Sequence, residues 1–202
     1  MYTYLVKPGV DWLFALLGLI CLMPFLITIA LILAIFNGQN PVLRQQRVGY
    51  QGSIFWLYKF RTMTDTRDKA GNLLPDANRI TLFGNWLRLT SIDELPQLVN
   101  VMFGDMSLVG PRPMLAGNAL GLIGHERHTL KPGLTGWAQI HGRNHLSWDE
   151  KFTLDAWYTA HCGFAIDCLI LWRTLFVLID DSPPATPYMS CYSTEPEATP
   201  AS

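Results

Sequence analysis

Two adjacent carboxylates, Asp93 and Glu94, lie in the stretch Arg88-Leu89-Thr90-Ser91-Ile92-Asp93-Glu94-Leu95-Pro96. Ser91 and Glu94, three apart, match a capping box, in which both side chains would only satisfy free backbone N–H groups. Pro96 bears on the register, because it fits inside the first turn better if Asp93 rather than Ser91 is the cap. Either register leaves both carboxylates at a helix N-terminus, where the field favours anions and is expected to keep an Asp ionised as a nucleophile. A phosphate approaching two carboxylates is repelled unless a cation intervenes. Mg²⁺ held by Asp93 and Glu94 would meet that need, with Lys59, Arg88, Arg112 or Arg143 adding charge. No GxxxxGK[ST] loop is present, which disfavours a P-loop nucleotidase.

The elements that must position these groups follow from periodicity and punctuation. Leu95, Leu98, Val99 and Met102 fall at i, i+3, i+4 and i+7, so a helix is expected from near Ser91 to just before Gly104. Ile54 to Met63 is rich in aromatic and β-branched residues and reads as a strand, whose alternation would put Lys59 and Arg61 on one face. Gly71 to Asn78 reads as a polar loop. Gly110-Pro111-Arg112-Pro113, and Lys131 to Arg143 with its Pro132-Gly133, Gly136 and Gly142, also read as loops.

Half of the 202 residues are apolar and only 15% are charged, which argues against both an ordinary cytosolic domain and whole-chain disorder. The formal charge of −1 conceals an asymmetry. Lys7 and Asp11 cancel within residues 1–39. Residues 40–145 carry twelve Lys or Arg against seven Asp or Glu, and residues 146–202 carry two against eight. The basic middle suits anions, although charge counting alone fits a solvated surface equally well. Cys21, Cys162, Cys168 and Cys191 form no CxxC pair, so neither a disulfide framework nor a zinc site is expected. His125 with His128, and His141 with His145, have helical spacing but no HExxH pattern; surface or capping roles are expected of them.

From Trp12 to Phe36 no side chain is charged. As a helix this stretch would measure roughly 37 Å, enough to cross a bilayer. It has no signal-peptide cleavage site and should remain in place. Pro24, at its middle, is expected to kink or break it. Hydropathy favours a span; the cations on both flanks favour two half-helices that enter and leave on the cytoplasmic side. Ala165 to Ile179, behind Trp148, Phe152, Trp157, Tyr158 and Phe164, is either an interfacial helix with aromatic anchors or a core helix. Residues 182–202, with five prolines, read as a disordered tail.

Tyr58-Lys59-Phe60-Arg61-Thr62-Met63, Ser91 to Gln97, Gly104-Asp105-Met106-Ser107, Gly110 to Pro113 and Lys131-Pro132-Gly133-Leu134-Thr135-Gly136-Trp137-Ala138-Gln139 together resemble the small monotopic polyprenyl-phosphate phosphoglycosyl transferases of bacteria, over residues 5 to about 180. That resemblance implies an α+β, mainly helical, monotopic membrane protein with a proline-broken re-entrant helix in residues 1–39, a cytosolic catalytic domain in 40–181 and the tail beyond. It implies transfer of a phosphosugar from a UDP-sugar to undecaprenyl phosphate at the cytoplasmic face of the inner membrane, releasing UMP in the first step of exopolysaccharide, lipopolysaccharide or glycoconjugate assembly. Asp93 would form an aspartyl phosphosugar and Glu94 would help hold Mg²⁺. Lys59, Arg88 and Arg112 would neutralise phosphate, Pro111 and Pro113 would lie near the uridine, and Arg143 would be a further member.

Membrane lipid is the implied surroundings, no nucleic-acid partner is expected, and a homo-oligomer is left open. The chain departs from the family pattern at Met23, where Ser commonly precedes the break proline, at Pro8, which follows Lys7 in place of Arg, and at His141, in place of a frequent Asn. Two other mechanisms fit the residues: direct attack by the lipid phosphate with Asp93 and Glu94 as metal ligands only, and a non-catalytic membrane tether.

Overall fold

The computed structural model describes residues 1–118 and 126–177. In chain order its first elements are α1 (Lys7–Asn37), β1 (Val42–Val48), β2 (Ile54–Phe60), α2 (Asp76–Arg79), α3 (Leu82–Leu89) and α4 (Leu98–Phe103). There follow β3 (Ser107–Val109), β4 (Met114–Leu115), β5 (Gly133–Thr135), α5 (Trp137–Ile140), α6 (Trp148–His161) and α7 (Phe164–Val177). The chain is therefore mainly helical with a little sheet, in line with the expected α+β class. The 182–202 tail, His125 and Cys191 lie outside the described residues.

α1 is apolar on nearly every side, so its buried face cannot be read from composition. That face is Lys7, Asp11, Ala15, Leu19, Leu26, Ile29 and Leu33, one stripe at helical spacing. The expected break at Pro24 is absent: the helix runs on through it. Pro24 faces outward. Its missing N–H costs about 3 kcal/mol, and burial of Leu19 and Leu26 on either side of it opposes that loss. Thr28 Oγ1 donates to the Pro24 carbonyl at 2.9 Å, and Gly38, at φ 63°, ends the helix.

Both ends of α1 are tied to the body. Lys7 Nζ meets Asp167 of α7 at 2.5 Å, and Asp167 also accepts from Tyr158 at 2.6 Å and Tyr2 at 2.7 Å. Asp11 accepts from Ser107 Oγ at 2.6 Å and from the Leu108 N–H at 3.3 Å. At the far end, Asn37 Nδ2 donates to the Arg61 carbonyl at 3.2 Å. The two leader charges that cancel in a count thus have separate partners across the fold.

β2, β1 and β4 form an antiparallel sheet in that order, and β3 pairs in parallel with β5. α1, β2, α3 and α4 share one core around Leu87, Leu98 and Phe60; α5, α6 and α7 share another around Tyr158 and Ile170. α7 packs into the core on one side, as one of its two expected readings has it, and exposes apolar side chains on the other. Asp167 and Ile170 are buried, while Phe164, Trp172, Leu175 and Phe176 are each more than half exposed.

Several local expectations are corrected. The segment 131–143 is not all loop, since β5 and α5 lie within it, and the 71–78 loop gives way to α2 from Asp76. The helix expected from Ser91 begins as a 3-10 turn, Ile92–Gln97, and becomes α-helical only at Leu98, because Pro96 cannot donate into an α-helical ladder. Gly104 ends α4 as expected, at φ 83°.

Candidate active site

Asp93 and Glu94 occupy the first turn of the 3-10 segment. No capping box forms: Ser91 is left-handed at φ 55° and makes no side-chain cap, and its Oγ instead accepts from Arg143 Nη2 at 2.8 Å. Glu94 is also spoken for, meeting Arg112 Nη2 at 2.5 Å and Nη1 at 3.5 Å. Asp93 is 7% exposed. Its carboxyl is pushed up to about 6, mainly by burial and then by Glu94, against the pull of Lys59, Arg88 and Arg112. The expectation that the helix terminus lowers this group is therefore reversed, because desolvation outweighs the favourable field.

β2 brings Lys59 to the site, where burial lowers its ammonium and Asp93 is the chief opposing influence. Asn100 of α4 fixes the strand against the 3-10 segment and α4, accepting from the Tyr58 N–H at 3.1 Å and donating to the Trp56 carbonyl at 2.7 Å. Arg61 does not join Lys59. The strand stops at Phe60, and Arg61 turns away to Asp65 at 3.1 Å and the Asn40 carbonyl at 3.1 Å. Arg88 is held by Thr62 Oγ1 at 2.8 Å.

The Gly110–Pro113 loop is seated on β5 and its flanks by very close backbone approach. The Gly110 N–H donates to the Thr135 carbonyl and the Gly133 N–H to the Pro111 carbonyl. A Cβ on Gly133 would lie 2.0 Å from the Gly110 nitrogen, and one on Gly136 2.1 Å from the Gly110 oxygen. Two arginines secure the loop's outer carbonyls: Arg127 Nη2 donates to Arg112 at 2.6 Å and Arg47 Nη1 to Pro113 at 2.9 Å. Arg127 is itself paired with buried Asp155 at 2.9 Å. Pro111 and Pro113 are buried, and the Arg112 side chain is left to reach Glu94.

Two cavities and a smaller hollow surround this loop. One, of about 230 Å³, is basic, with Arg47, Arg112, Arg127, Arg143 and Lys151 on its walls beside Trp148. The second, of about 220 Å³, is mostly apolar; it starts at Ser91, Glu94 and Arg112 and extends along Leu171 and Leu175 of α7. Lys59, Glu94, Gln97 and Arg112 line the hollow, of about 40 Å³, near the carboxylates. Among the described residues no group of three or more His, Cys, Asp or Glu is placed to hold a metal ion. Two adjacent carboxylates are the chemistry Mg²⁺ takes from a protein, with water and substrate phosphate completing its shell, and here Glu94 is already engaged by Arg112. His141 is a buried C-cap of α5: its Nδ1 bonds the Trp137 carbonyl at 2.8 Å, and burial pushes it down to about 4.

Residues 2–181 match the model of the family described as bacterial sugar transferase. The chain belongs to the bacterial sugar transferases. It is 54% identical over 141 residues to the uncharacterized sugar transferase EpsL of Bacillus subtilis, covering 68% of this chain and 69% of that protein. It is 32% identical over 188 residues to the exopolysaccharide production protein ExoY of Sinorhizobium fredii, covering 84% and 83%. With the UDP-glucose:undecaprenyl-phosphate glucose-1-phosphate transferase of Xanthomonas campestris pv. campestris it shares 40% over 150 residues, 70% of this chain but only 31% of that relative.

In this sugar transferase Asp93 lies within electrostatic reach of Glu94, Lys59, Arg88 and Arg112, while Arg143 reaches Ser91 and lines both larger cavities with Arg112. Reading the sequence alone missed Arg47, Arg127, Asp155, Trp148 and Lys151 around the basic cavity, and Gln139 between it and the apolar one. Trp148, Lys151 and Asp155 share one face of α6 at i, i+3 and i+7, a helical spacing the sequence does display, whereas Arg47, Arg127 and Gln139 are single residues on three other elements with no local pattern. For the two arginines the surplus of cations in residues 40–145 was the available signal.

Proposed function

We propose that this chain moves a phosphosugar from a UDP-sugar to undecaprenyl phosphate and releases UMP. One observation carries the reading: a buried Asp beside a Glu, faced by Lys59, Arg88 and Arg112, with a basic cavity on one side and an apolar one leading to an exposed apolar helix on the other. The basic cavity suits the nucleotide diphosphate and the apolar one the prenyl chain. An Asp93 oxygen attacks the phosphorus next to the sugar, the bond to the UMP oxygen breaks, and UMP departs. The lipid phosphate oxygen then attacks the same phosphorus, the bond to Asp93 breaks, and the carboxylate is regenerated. Lys59, Arg88 and Arg112 stabilise charge on the phosphoryl oxygens in both steps. Mg²⁺ held by Glu94 and Asp93 would supply further neutralisation.

The same reading sets the chain at the cytoplasmic face of the bacterial inner membrane, with α1 embedded against that face and both of its ends on the cytoplasmic side. Attachment of both ends of α1 to one body supports this arrangement over a span, which would separate its ends by a bilayer.

Incubation with a UDP-sugar alone should release UMP and leave a phosphosugar adduct on Asp93, visible by mass spectrometry, and Asp93→Asn should lose both. UMP release by the wild type that needs the lipid and never leaves an adduct would favour direct attack instead. A chain that turns over no donor yet loses its cellular role on deletion of residues 182–202 would be a tether.

A further inference from the structure

Three side chains line both cavities: Arg112, Arg143 and Gln139. The two arginines have phosphate to neutralise and protein partners besides. Gln139 has neither. It is 9% exposed, and among the described residues neither its Oε1 nor its Nε2 has a hydrogen-bond partner. Buried amides are nearly always paired, since each unmet end forfeits its hydration without return, and an apolar side chain of similar shape would avoid the loss. The residue is also held firmly. It sits in α5, whose Trp137 stacks on Trp157 at 4.4 Å between ring centres. Its Oε1 lies against Gly136, where a Cβ would come within 2.9 Å of it.

The transfer proposed above, on which this inference rests, has two halves. The nucleotide is present only in the first and the lipid only in the second, whereas the sugar phosphate is present in both. A side chain in the wall of both cavities is placed to meet the group common to both halves. We propose that Gln139 reads the sugar in transit, its Nε2–H donating to one hydroxyl oxygen while a neighbouring hydroxyl donates to its Oε1. A vicinal diol offers that donor and acceptor along one edge. The N–H and C=O of a 2-acetamido group point in opposite directions across a trans amide, so the planar fork of Gln139 could meet only one of them. The site therefore requires two adjacent free hydroxyls, which a hexose offers at more than one pair of positions and a 2-acetamido hexose at C3 and C4.

The test is UMP release from UDP-glucose, UDP-galactose, UDP-N-acetylglucosamine and the monodeoxy analogues of the preferred hexose, in wild type, Gln139→Ala and the near-isosteric Gln139→Glu. Wild type should prefer the parent hexose over its deoxy analogues at two adjacent positions by about tenfold or more in kcat/KM. Gln139→Ala should lose roughly tenfold to a hundredfold on the parent, and its preference at those two positions should collapse to below about threefold. Gln139→Glu, which keeps the acceptor, should retain sensitivity at only one of them.

An equal loss on every donor, with the wild-type pattern of preferences intact, would make Gln139 structural and overturn the inference while leaving the transferase reading standing. So would a wild type whose preferred donor tolerates the loss of any single hydroxyl. A wild type that releases UMP from no donor overturns the transferase reading, and this inference with it.

Discussion

Asp93 carries opposing demands. In its proposed role as nucleophile it must be ionised, yet burial and Glu94 hold its carboxyl up to about 6. Activity should therefore fall on the acid side with an apparent pKa near 6 in a pH profile of kcat/KM for UMP release, which reports the free enzyme. Stability should move the other way. The native state binds this proton more tightly than the unfolded chain does, so this group's contribution is fullest below about pH 4 and is lost as pH rises through about 6. The melting temperature of Asp93→Asn relative to wild type should accordingly rise between about pH 4 and 6 and level off above. A gap that stays constant across that range would mean Asp93 is not held in a raised state.

At the scale of elements, the site depends on backbones that touch. The parallel pairing of β3 with β5 places Gly110 against Gly133 and Gly136 at separations no Cβ could occupy. Gly133→Ala should cost about 3 kcal/mol or more and give little soluble, folded protein. Gly117→Ala, with nothing within 4 Å of its Cβ position, should be near neutral in the same thermal melt. The Lys7–Asp167 pair joins α1 to α7 in the interior. Lys7→Met leaves that carboxylate without its cation and should cost about 3–5 kcal/mol. Adding Asp167→Asn should recover much of the loss, because Tyr158 can still donate to the amide oxygen while the Tyr2 hydroxyl oxygen accepts from the amide N–H. A double-mutant cycle in melting temperature measures that coupling.

For the whole molecule, the arrangement of charge and apolar surface is the main result. α1 turns Ile20, Ile27, Leu31 and Phe36 outward and α7 turns out Trp172, Leu175 and Phe176, all more than half exposed. Such a surface calls for lipid rather than water. With both ends of α1 bound to one body, a reporter fused to the amino terminus should lie on the cytoplasmic side in cells; an external signal would restore a spanning helix. The apolar cavity begins at Ser91 and Glu94 and reaches α7; under the proposed function a lipid-borne phosphate would approach from that surface and a soluble donor from the basic side.

The sequence by itself was enough to mark Asp93-Glu94, the cations Lys59, Arg88, Arg112 and Arg143, the glycine-proline loops, the uncharged run from Trp12 to Phe36 and the basic middle of the chain. All of these are matters of residue type and short spacing, which a linear string displays. Only the tertiary structure decided that Arg61 leaves the site, that α1 passes unbroken through Pro24 with one face on the body, that Asp93 is raised rather than lowered, and that Gln139 is buried with its amide unmet. These depend on desolvation and on partners far apart in the chain. Lys7 and Asp167 are separated by 160 residues and Asp11 and Ser107 by 96. A run apolar on all sides gives no periodicity from which to choose its buried face, so packing chose it.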